Sequence, residues 1–213
     1  MGVVQIGTQW WDNQNLDVDS FGDGTPIAHA KTEAEWISFC SSGTPAWRYQ
    51  NNDSSNSAKY GRLYNWYVVS ASLSKSIVPD SNFKVPTTTQ WEQLIAFLGG
   101  SPVAGVKLKN TVNWSSMTRV PGNGNNQSGW TGNPGGFLKS TGDFFDLTWS
   151  GNWWSATSSS VTEAPGYRLY WENPAIVRLN TPFNLGLSIR LIYSGSYEGN
   201  PTYRPSENFP TRL

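Results

Sequence analysis

Three hydrophobic runs in the last third of the chain alternate with polar turns. Residues 167–171, 175–179 and 186–192 are rich in aromatic and branched side chains, and each run is bounded by Gly, Pro or Asn. Such runs are typical of β-strands, so the pattern predicts strand, turn, strand, turn, strand. The connecting turns, residues 172–174 and 180–185, hold polar and aromatic side chains that no core requires. A strand scaffold that displays varied turn residues is typical of a recognition surface.

Two earlier segments have the spacing of helices. In residues 32–39, Thr32 is a predicted N-cap, and Glu35 three residues later completes a capping box. The clearer helix lies within residues 85–100, where a Thr N-cap precedes an apolar face and a Gly pair ends the helix. Residues 106–148 have no sustained period and are predicted to be mostly loop. The apolar face of the clearer helix consists of Trp91, Leu94, Ile95 and Leu98.

The composition indicates a folded protein and excludes several classes of partner. Charged and aromatic residues each make up 14% of the 213 residues, whereas a disordered chain is rich in charge and poor in aromatics. The length suits one domain. The formal net charge is zero, so we expect no electrostatic attraction to nucleic acid or to an anionic membrane. No apolar run is long enough to span a bilayer.

Cysteine usage and the first residues indicate a reducing compartment. Cys40 is the only cysteine, which excludes an intrachain disulfide and a cysteine-based metal cluster. Residues 1–7 contain no basic segment followed by a long apolar stretch, so no secretory signal is expected. Both features suit a protein assembled in a cytoplasm, and a mature fragment of a secreted protein would share them.

Several blocks of residues follow one another in a characteristic order along residues 3–192. With these blocks the chain resembles the Fibrobacter succinogenes major paralogous domain family. That family is similar to the C-type-lectin-like fold in the broad sense that includes formylglycine-generating enzymes and the variable proteins of diversity-generating retroelements. The blocks are Ile6-Gly7-Thr8-Gln9-Trp10-Trp11, Tyr60-Gly61-Arg62-Leu63-Tyr64-Asn65-Trp66-Tyr67, Val85-Pro86-Thr87, Leu98-Gly99-Gly100, Gly105-Val106-Lys107-Leu108-Lys109, Gly129-Trp130-Thr131, Pro134-Gly135-Gly136, Trp153-Trp154-Ser155-Ala156-Thr157 and Gly186-Leu187-Ser188-Ile189-Arg190.

The resemblance implies an α+β, C-type-lectin-like fold in which two short helices flank a small, twisted antiparallel sheet with many loops. The domain would span residues 1–192. Residues 193–213, which contain Pro and Tyr but no period, would form an extended C-terminal arm. The resemblance also implies that the final strands carry a ligand-facing surface, which retroelement-diversified relatives vary to change the receptor that they bind.

The chain departs from the family at two cysteine positions. Relatives usually carry a Cys before the Pro that precedes the long helix and another after the Arg of the last strand. Here these positions hold Val78 and Leu191. Both residues are apolar, so we expect the bridge to be absent as a unit and the two side chains to pack in its place. Its absence suits a reducing compartment and favours a bacteriophage virion protein over a secreted bacterial surface protein.

The candidate recognition patch lies on the predicted strands and turns after residue 167. Tyr170 and Trp171 are neighbours on one strand, so one of them is expected to be exposed. Phe183, in the last turn, is the best candidate for an exposed aromatic anchor, and Arg168 or Arg178 could face the ligand. The predicted patch consists of Tyr170, Glu172, Asn173, Arg178, Asn180, Phe183 and Asn184.

Other residues with binding chemistry are expected to be structural. Arg190 lies in the last strand of the family pattern, where we expect a structural bidentate contact. Asp17 with Asp19, or residues 51–53, could supply oxygen ligands to a structural calcium, although such runs more often form turns. No calcium-dependent sugar site is expected, because the required Glu-Pro-Asn and Trp-Asn-Asp motifs do not occur. The tryptophans expected in the core are Trp10, Trp66, Trp91, Trp130 and Trp153.

An enzymatic function is not expected, and neither a cofactor nor a metal is predicted. Formylglycine-generating enzymes rely on a pair of cysteines, which one cysteine cannot supply. His29 is the only histidine and is expected to be an ordinary surface or capping residue. Nothing in the sequence brings two acids together as glycosidase carboxylates. The acids considered are Asp143, Asp146, Glu163 and Glu172.

The sequence therefore predicts a non-enzymatic receptor-binding module in the tail or surface of a bacteriophage virion, assembled in the host cytoplasm. Its partner would be a host-surface glycan or protein. Two alternatives stay open. One is a structural virion protein whose residues 193–213 dock onto other subunits or onto a second copy of the chain. The other is a secreted adhesin or carbohydrate-binding domain at a bacterial cell surface.

Overall fold

The structure is a computed structural model that describes residues 2–118 and 120–195. Residues 196–213, most of the predicted C-terminal arm, lie outside the described part. The helices are α1 (Glu33–Ser41), α2 (Ser57–Tyr60), α3 (Trp66–Lys75), α4 (Thr88–Phe97) and α5 (Ser101–Leu108). The strands are β1 (Val3–Ile6), β2 (Gln9–Asp12), β3 (Ala28–His29), β4 (Ala46–Tyr49), β5 (Arg62–Tyr64), β6 (Phe83–Lys84), β7 (Phe137–Leu138), β8 (Phe144–Phe145), β9 (Ser150–Trp154), β10 (Glu163–Tyr170), β11 (Ile176–Pro182) and β12 (Ile192–Tyr193).

The strands form several small sheets rather than one large one. A four-stranded sheet has the order β1-β2-β12-β6, and two three-stranded sheets have the orders β11-β10-β9 and β3-β4-β5. β7 and β8 form a two-stranded ribbon. β3 and β4 pair in parallel, whereas the other paired strands are antiparallel. This confirms the mixed, mainly antiparallel part of the predicted α+β class. No helix within the described residues is long and apolar enough to cross a bilayer.

The expectation of two helices is corrected, because the described residues contain five. Thr32 and Thr87 cap α1 and α4 in complete capping boxes, which confirms both predicted N-caps. The three helices outside the predicted pair are α2, α3 and α5, and α5 follows α4 directly. It begins directly after Gly100, which adopts a φ of 90°, and Pro102 stands in its first turn. The Gly pair that ends α4 therefore also starts α5, so the loop predicted from residue 106 begins only after Leu108.

The hydrophobic runs of the last third differ in structure. The first two are confirmed as β10 and β11, which pair along their whole length. The third run, residues 186–192, is not a continuous strand. Its residues make isolated bridges to Tyr64, Leu138 and Trp153, and strand pairing starts again only at β12. All of its residues are buried, so this segment passes between sheets instead of extending one.

Aromatic rings fill the core between α4 and the sheet β9–β10–β11, hereafter the terminal sheet. Trp91 stacks on Tyr167 with ring centroids 4.6 Å apart, and Trp130 meets Trp153 edge-on at 4.8 Å. Tightly packed ring pairs of this kind stabilise a core beyond the area that they bury. Trp10 is only partly buried, in contrast to the prediction. The core prediction is confirmed for Trp66, Trp91, Trp130 and Trp153.

Arg190 is fully buried and acts as a structural residue, as predicted. Its Nε and Nη2 atoms donate to Oδ1 of Asn15 at 3.1 and 2.7 Å. Its Nη1 atom donates to the backbone carbonyls of Asp12 and Trp130 at 3.1 and 2.5 Å. The acceptors are amide and carbonyl oxygens rather than a carboxylate. The guanidinium thereby connects the N-terminal sheet region with the loop at residue 130.

Val78 and Leu191, at the positions where the family resemblance implies cysteines, are both buried. Their exposed fractions are 0% and 1%, and they belong to the same hydrophobic cluster. The prediction that both side chains pack into the core is confirmed.

Candidate functional site

The predicted recognition residues do not form one patch. β11 extends from Ile176 to Pro182, so the turn at residues 172–174 precedes the strand and residues 183–185 follow it. Because a strand rises about 3.3 Å per residue, β11 separates these two turns by roughly 20 Å. The sequence could not reveal this, because the extent of β11 depends on its pairing with β10. Tyr170, Glu172 and Asn173 lie at one end, Arg178 and Asn180 on the strand, and Phe183 and Asn184 at the other end.

The prediction that Phe183 is an exposed anchor is wrong. Its ring is 9% exposed and stacks on Trp66, with the ring centroids 4.1 Å apart. The backbone fixes this position, because the Phe183 N–H donates to the carbonyl of Thr162 and its own carbonyl accepts from the Trp66 N–H. A Phe183 ring that points inward buries a large apolar area, which stabilises the fold. Asn184 is half-buried, and its Oδ1 atom has no hydrogen-bond partner in the described structure.

The remaining predicted residues are accessible to differing degrees. Of the neighbouring aromatics, Trp171 is buried and Tyr170 is half-buried, so only the tyrosine reaches the surface in part. Whether these side chains bind a ligand stays a prediction. The members of the predicted patch that are exposed to solvent are Glu172, Asn173, Arg178 and Asn180.

A cavity of about 200 Å³ opens on one face of the terminal sheet, next to β11. Phe137 of the β7–β8 ribbon and Leu185 of the loop after β11 form its walls. Arg168 of β10 lies at its base, opposite Asn152 of β9 in the strand register. We call this feature the Arg168 cavity. The rest of its lining is Gly166, Tyr167, Leu179, Asn180, Thr181, Pro182 and Leu187.

The guanidinium of Arg168 is held in one orientation. Its Nε atom donates to Oδ1 of Asn152 at 2.8 Å, and its Cζ atom lies 5.5 Å from the centre of the Phe137 ring. Asn152 is itself fixed, because its amide nitrogen donates to the Gly136 carbonyl and to Oγ of Ser150. The two Nη atoms of Arg168 have no protein acceptor in the described structure. The cavity therefore contains a positioned cation with unused donors.

Arg168 is the charged side chain in the lining of the Arg168 cavity. No acidic side chain lines it. Within residues 2–118 and 120–195, ion pairs are confined to Arg62 with Asp17 and Asp19. The turn of the neighbouring ribbon carries charges of both signs, Lys139 and Asp143, and Nζ of Lys139 is 4.1 Å from the centre of the Phe145 ring. An anion in the cavity would therefore meet the Arg168 cation and no acidic lining residue.

The sequence prediction missed most of this cavity. It included Asn180 in the patch and named Arg168 as a residue that could face the ligand, but it assigned no role to Asn152 or Phe137. The sequence feature that could have identified Arg168 is strand alternation, which places Arg168 and Tyr170 on the same face of β10. The partners come from β9 and from a ribbon within a stretch predicted to be loop. Their proximity depends on sheet register, which the sequence does not specify.

A second cleft of about 430 Å³ lies beside the loop at residues 182–185. Ile37 and Cys40 of α1 line one side, and Phe183 and Asn184 line the other. Burial raises the pKa of the Cys40 thiol to about 11, so the thiol stays protonated at neutral pH. The cleft thus contains no activated cysteine nucleophile.

The groups considered for catalysis are separated or already in contact with other residues. Glu163 opens β10 and Glu172 follows it, so the two acids lie at opposite ends of a strand about 20 Å long. The ring of His29 stacks on Trp47 with centroids 3.9 Å apart. Burial, assisted by nearby positive charges, lowers the pKa of His29. Within the described residues, no three or more His, Cys, Asp or Glu side chains are grouped to hold a metal ion.

The acidic residues considered for calcium make contacts with the protein. Asp17 pairs with Arg62 at 2.8 Å, and Asp19 lies 3.8 Å from the same guanidinium. Asp53 accepts from the backbone N–H of Ser55 at 2.9 Å and caps a short 3-10 turn. These contacts favour the interpretation that such residues form turns and ion pairs.

Comparison with known proteins identifies the family. The sequence model of the Fibrobacter succinogenes major domain matches residues 4–193. The matched stretch extends from β1 to β12 and includes the terminal sheet and the Arg168 cavity. No curated protein and no solved structure matches the chain. Because the match covers most of the 213 residues, the chain belongs to the Fibrobacter succinogenes major domain family.

Proposed function

We propose that this domain is a non-enzymatic binding module that recognises a host-surface glycan or protein through the Arg168 cavity and the exposed side chains of β11. The observation that supports it is the Arg168 guanidinium, which is held at Nε by Asn152 while both Nη atoms lack a protein acceptor. A group that is fixed before the ligand arrives loses little conformational entropy on binding. Asn180 of the exposed edge strand β11 is part of the cavity lining, and Arg178 of the same strand lies opposite Tyr167 on the other face of the sheet.

Two other arginines provide a contrast that supports this interpretation. All three nitrogens of the buried Arg190 donate to protein oxygens. The same holds for Arg48, which donates to Asn52 and to the carbonyl of Gly142. In these two structural arginines, all three guanidinium nitrogens donate hydrogen bonds to the protein. Arg168 uses one nitrogen for positioning and leaves two donors for another molecule.

The proposal includes a C-type-lectin-like arrangement and a place in a bacteriophage virion. Apolar residues at both positions where relatives usually carry cysteines support folding in a reducing cytoplasm before assembly. Electron microscopy of phage particles labelled with an antibody against the domain tests the location. Labelling of tails or capsids is expected. If the full-length gene instead encodes an upstream signal peptide and no particle is labelled, the adhesin alternative replaces the virion.

Binding can be measured with the purified domain on intact bacterial cells and on an array of bacterial surface glycans. We expect wild-type binding, and weaker binding for Arg168→Gln and for the double variant Arg178→Ala/Asn180→Ala. Lys84→Gln is a matched control, because it removes an exposed positive charge on β6, in a different sheet. Thermal unfolding of each variant checks that the fold is retained. Binding that survives all of the Arg168 and β11 substitutions would refute the proposed surface, and absence of binding to any cell or glycan would refute the function.

A further inference from the structure

We infer that the Arg168 cavity receives a terminal sugar residue that carries a carboxylate, with the carboxylate bound to the two Nη atoms of Arg168. This inference rests on the proposed binding function and names the class of ligand. A guanidinium offers parallel N–H donors that match the two oxygens of a carboxylate. Here Asn152 orients the guanidinium through Nε, so both Nη atoms stay available to a ligand.

The charges around the cavity favour an anion. The lining contains no Asp or Glu and includes the Arg168 cation, while Lys139 and Asp143 in the turn of the adjacent ribbon carry opposite charges. Glu163 is the acid on β10, but it pairs opposite Pro182 at the start of the strand and is not part of the lining. A carboxylate would form charge-assisted hydrogen bonds with the two Nη atoms, and these bonds are stronger than those that a neutral hydroxyl or amide oxygen accepts.

The size and lining of the cavity favour one sugar residue. Its volume of about 200 Å³ is below the 300–1,000 Å³ or so that encloses a whole small ligand, so it accommodates the terminal group of a larger one. Phe137 and Leu179 provide apolar surface for the C–H face of a pyranose ring. Asn180 and Thr181 provide amide and hydroxyl groups beside it for ring hydroxyls.

An acidic peptide is the alternative source of a carboxylate, and the ends of β11 make it the weaker choice. A peptide added to this sheet edge would pair with the backbone of β11. At one end Ser101 of α5 already donates to the Ile176 carbonyl. At the other end Pro182 has no N–H to offer. The length of edge available for pairing is therefore short.

The test uses matched ligands. Oligosaccharides ending in a uronic or a nonulosonic acid are arrayed beside their carboxyl-reduced forms, in which the acid is a primary alcohol, together with peptides ending in Asp or Glu. The purified wild-type domain should bind at least one acidic oligosaccharide, with roughly tenfold to hundredfold weaker binding after carboxyl reduction. Increasing salt should weaken this binding as well. Both measurements use the wild-type protein and do not depend on the folding of a variant.

Variants then locate the contact. Arg168→Gln should remove the preference for the acidic form. Arg168→Lys should keep part of this preference, because the lysine ammonium keeps the positive charge but lacks the parallel N–H donors of the guanidinium. Lys84→Gln should bind as the wild type does. The inference is overturned if acidic and reduced forms bind equally, if Arg168→Gln retains the preference, or if acidic peptides alone bind. In each case, binding that still depends on the β11 residues leaves the proposed function intact, whereas loss of all binding removes both.

Discussion

At the residue scale, the guanidiniums of Arg190 and Arg168 differ in the acceptors around them. Arg190 donates five hydrogen bonds to amide and carbonyl oxygens and is fully buried. Arg168 has one such contact and lies in a cavity. Removing Arg190 would leave several buried acceptors unpaired, which is costly, whereas removing Arg168 leaves one. A substitution at Arg168 is therefore expected to report on binding more than on stability.

Phe183→Ala tests whether this ring is a core residue rather than an anchor. Its stacking on Trp66 and its low exposure predict a loss of about 3 kcal/mol in the free energy of unfolding. Urea denaturation of the variant and the wild type measures this loss. Val161→Ala is a suitable control, because Val161 is 93% exposed and should change stability by less than about 0.5 kcal/mol. A loss for Phe183→Ala no larger than the control would contradict the assignment.

Lys109 is a buried cation without a carboxylate partner, and this makes stability depend on pH. The Nζ atom of Lys109 donates to the carbonyl of Trp171 at 2.9 Å, and the lysine is 3% exposed. Burial lowers the pKa of Lys109 from the ordinary 10.5 to about 8. Between these values the unfolded chain binds more protons than the folded one, so stability rises with pH. The contribution is full above pH 10.5 and is lost as the pH falls through about 8.

The corresponding prediction compares the wild type with Lys109→Met. Relative to the variant, the wild type should gain roughly 3 kcal/mol in the free energy of unfolding as the pH increases from about 8 to about 10.5. Chemical denaturation of both proteins at a series of pH values measures this difference. Other lysines and tyrosines titrate in both proteins, so their effects cancel in the comparison. A difference that is independent of pH would show that Lys109 keeps an ordinary pKa in the folded protein.

At the element scale, α4 depends on its cap. Oγ1 of Thr87 accepts from the Gln90 N–H, and Oε1 of Gln90 accepts from the Thr87 N–H. Thr87→Ala should lower the free energy of unfolding by about 1 kcal/mol, because the backbone N–H of Gln90 loses its acceptor. Thr89→Ala, in the first turn of the same helix, should be neutral or slightly stabilising, since alanine has the higher helix propensity. Thermal unfolding of the two variants compares them, and equal effects would exclude a capping contribution.

Caps and local periods were predictable at this scale, whereas elements defined by long-range pairing were not. The capping boxes at Thr32 and Thr87 involve residues three positions apart, so the sequence contained the whole interaction. β10 and β11 follow each other in a hairpin and were found for a similar reason. Residues 186–192 have the composition of a strand, but their partners are Tyr64, Leu138 and Trp153, which are distant in sequence. Composition alone could not show that these contacts are isolated bridges.

The candidate site was predictable only in part, for the same physical reason. Exposure of Arg178 and Asn180 follows from their position on a strand at the edge of a sheet. The Arg168 cavity requires β9, β10 and the β7–β8 ribbon to meet, and the ribbon belongs to a stretch with little local pattern. Phe183 was misplaced because a turn aromatic has no local feature that distinguishes solvent from a stacking partner such as Trp66.

At the scale of the whole molecule, strand pairing joins the two ends of the described chain. β12 lies between β2 and β6, so residues near the end of the family domain complete a sheet that begins at residue 3. Arg190 strengthens the same junction from inside the core. Truncation within residues 186–193 would therefore remove a central strand of this sheet.

The pair Val78 and Leu191 allows a last prediction about the whole fold. Both side chains belong to one buried cluster, and the family resemblance implies cysteines at these positions. In the double variant Val78→Cys/Leu191→Cys, the new thiols should form a disulfide under oxidising conditions. The bridge would close a loop of about 110 residues, so the oxidised variant should exceed its own reduced form by about 2–4 kcal/mol in the free energy of unfolding. Comparing two redox states of one chain removes the cost of replacing two aliphatic side chains, which affects both states equally.

Thiol titration and denaturation with and without reductant measure this bridge. Cys40 is the only natural cysteine and is buried, so a bridged variant should retain one thiol when it is unfolded without reductant. The single variant Val78→Cys is the control, because it should retain both thiols and show no stabilisation by oxidation. If the double variant keeps all of its thiols, the two positions are not close enough to be bridged, since a disulfide requires Cα atoms within about 7 Å. In that outcome, the apolar pair would fill separate parts of the cluster and would not replace a bridge.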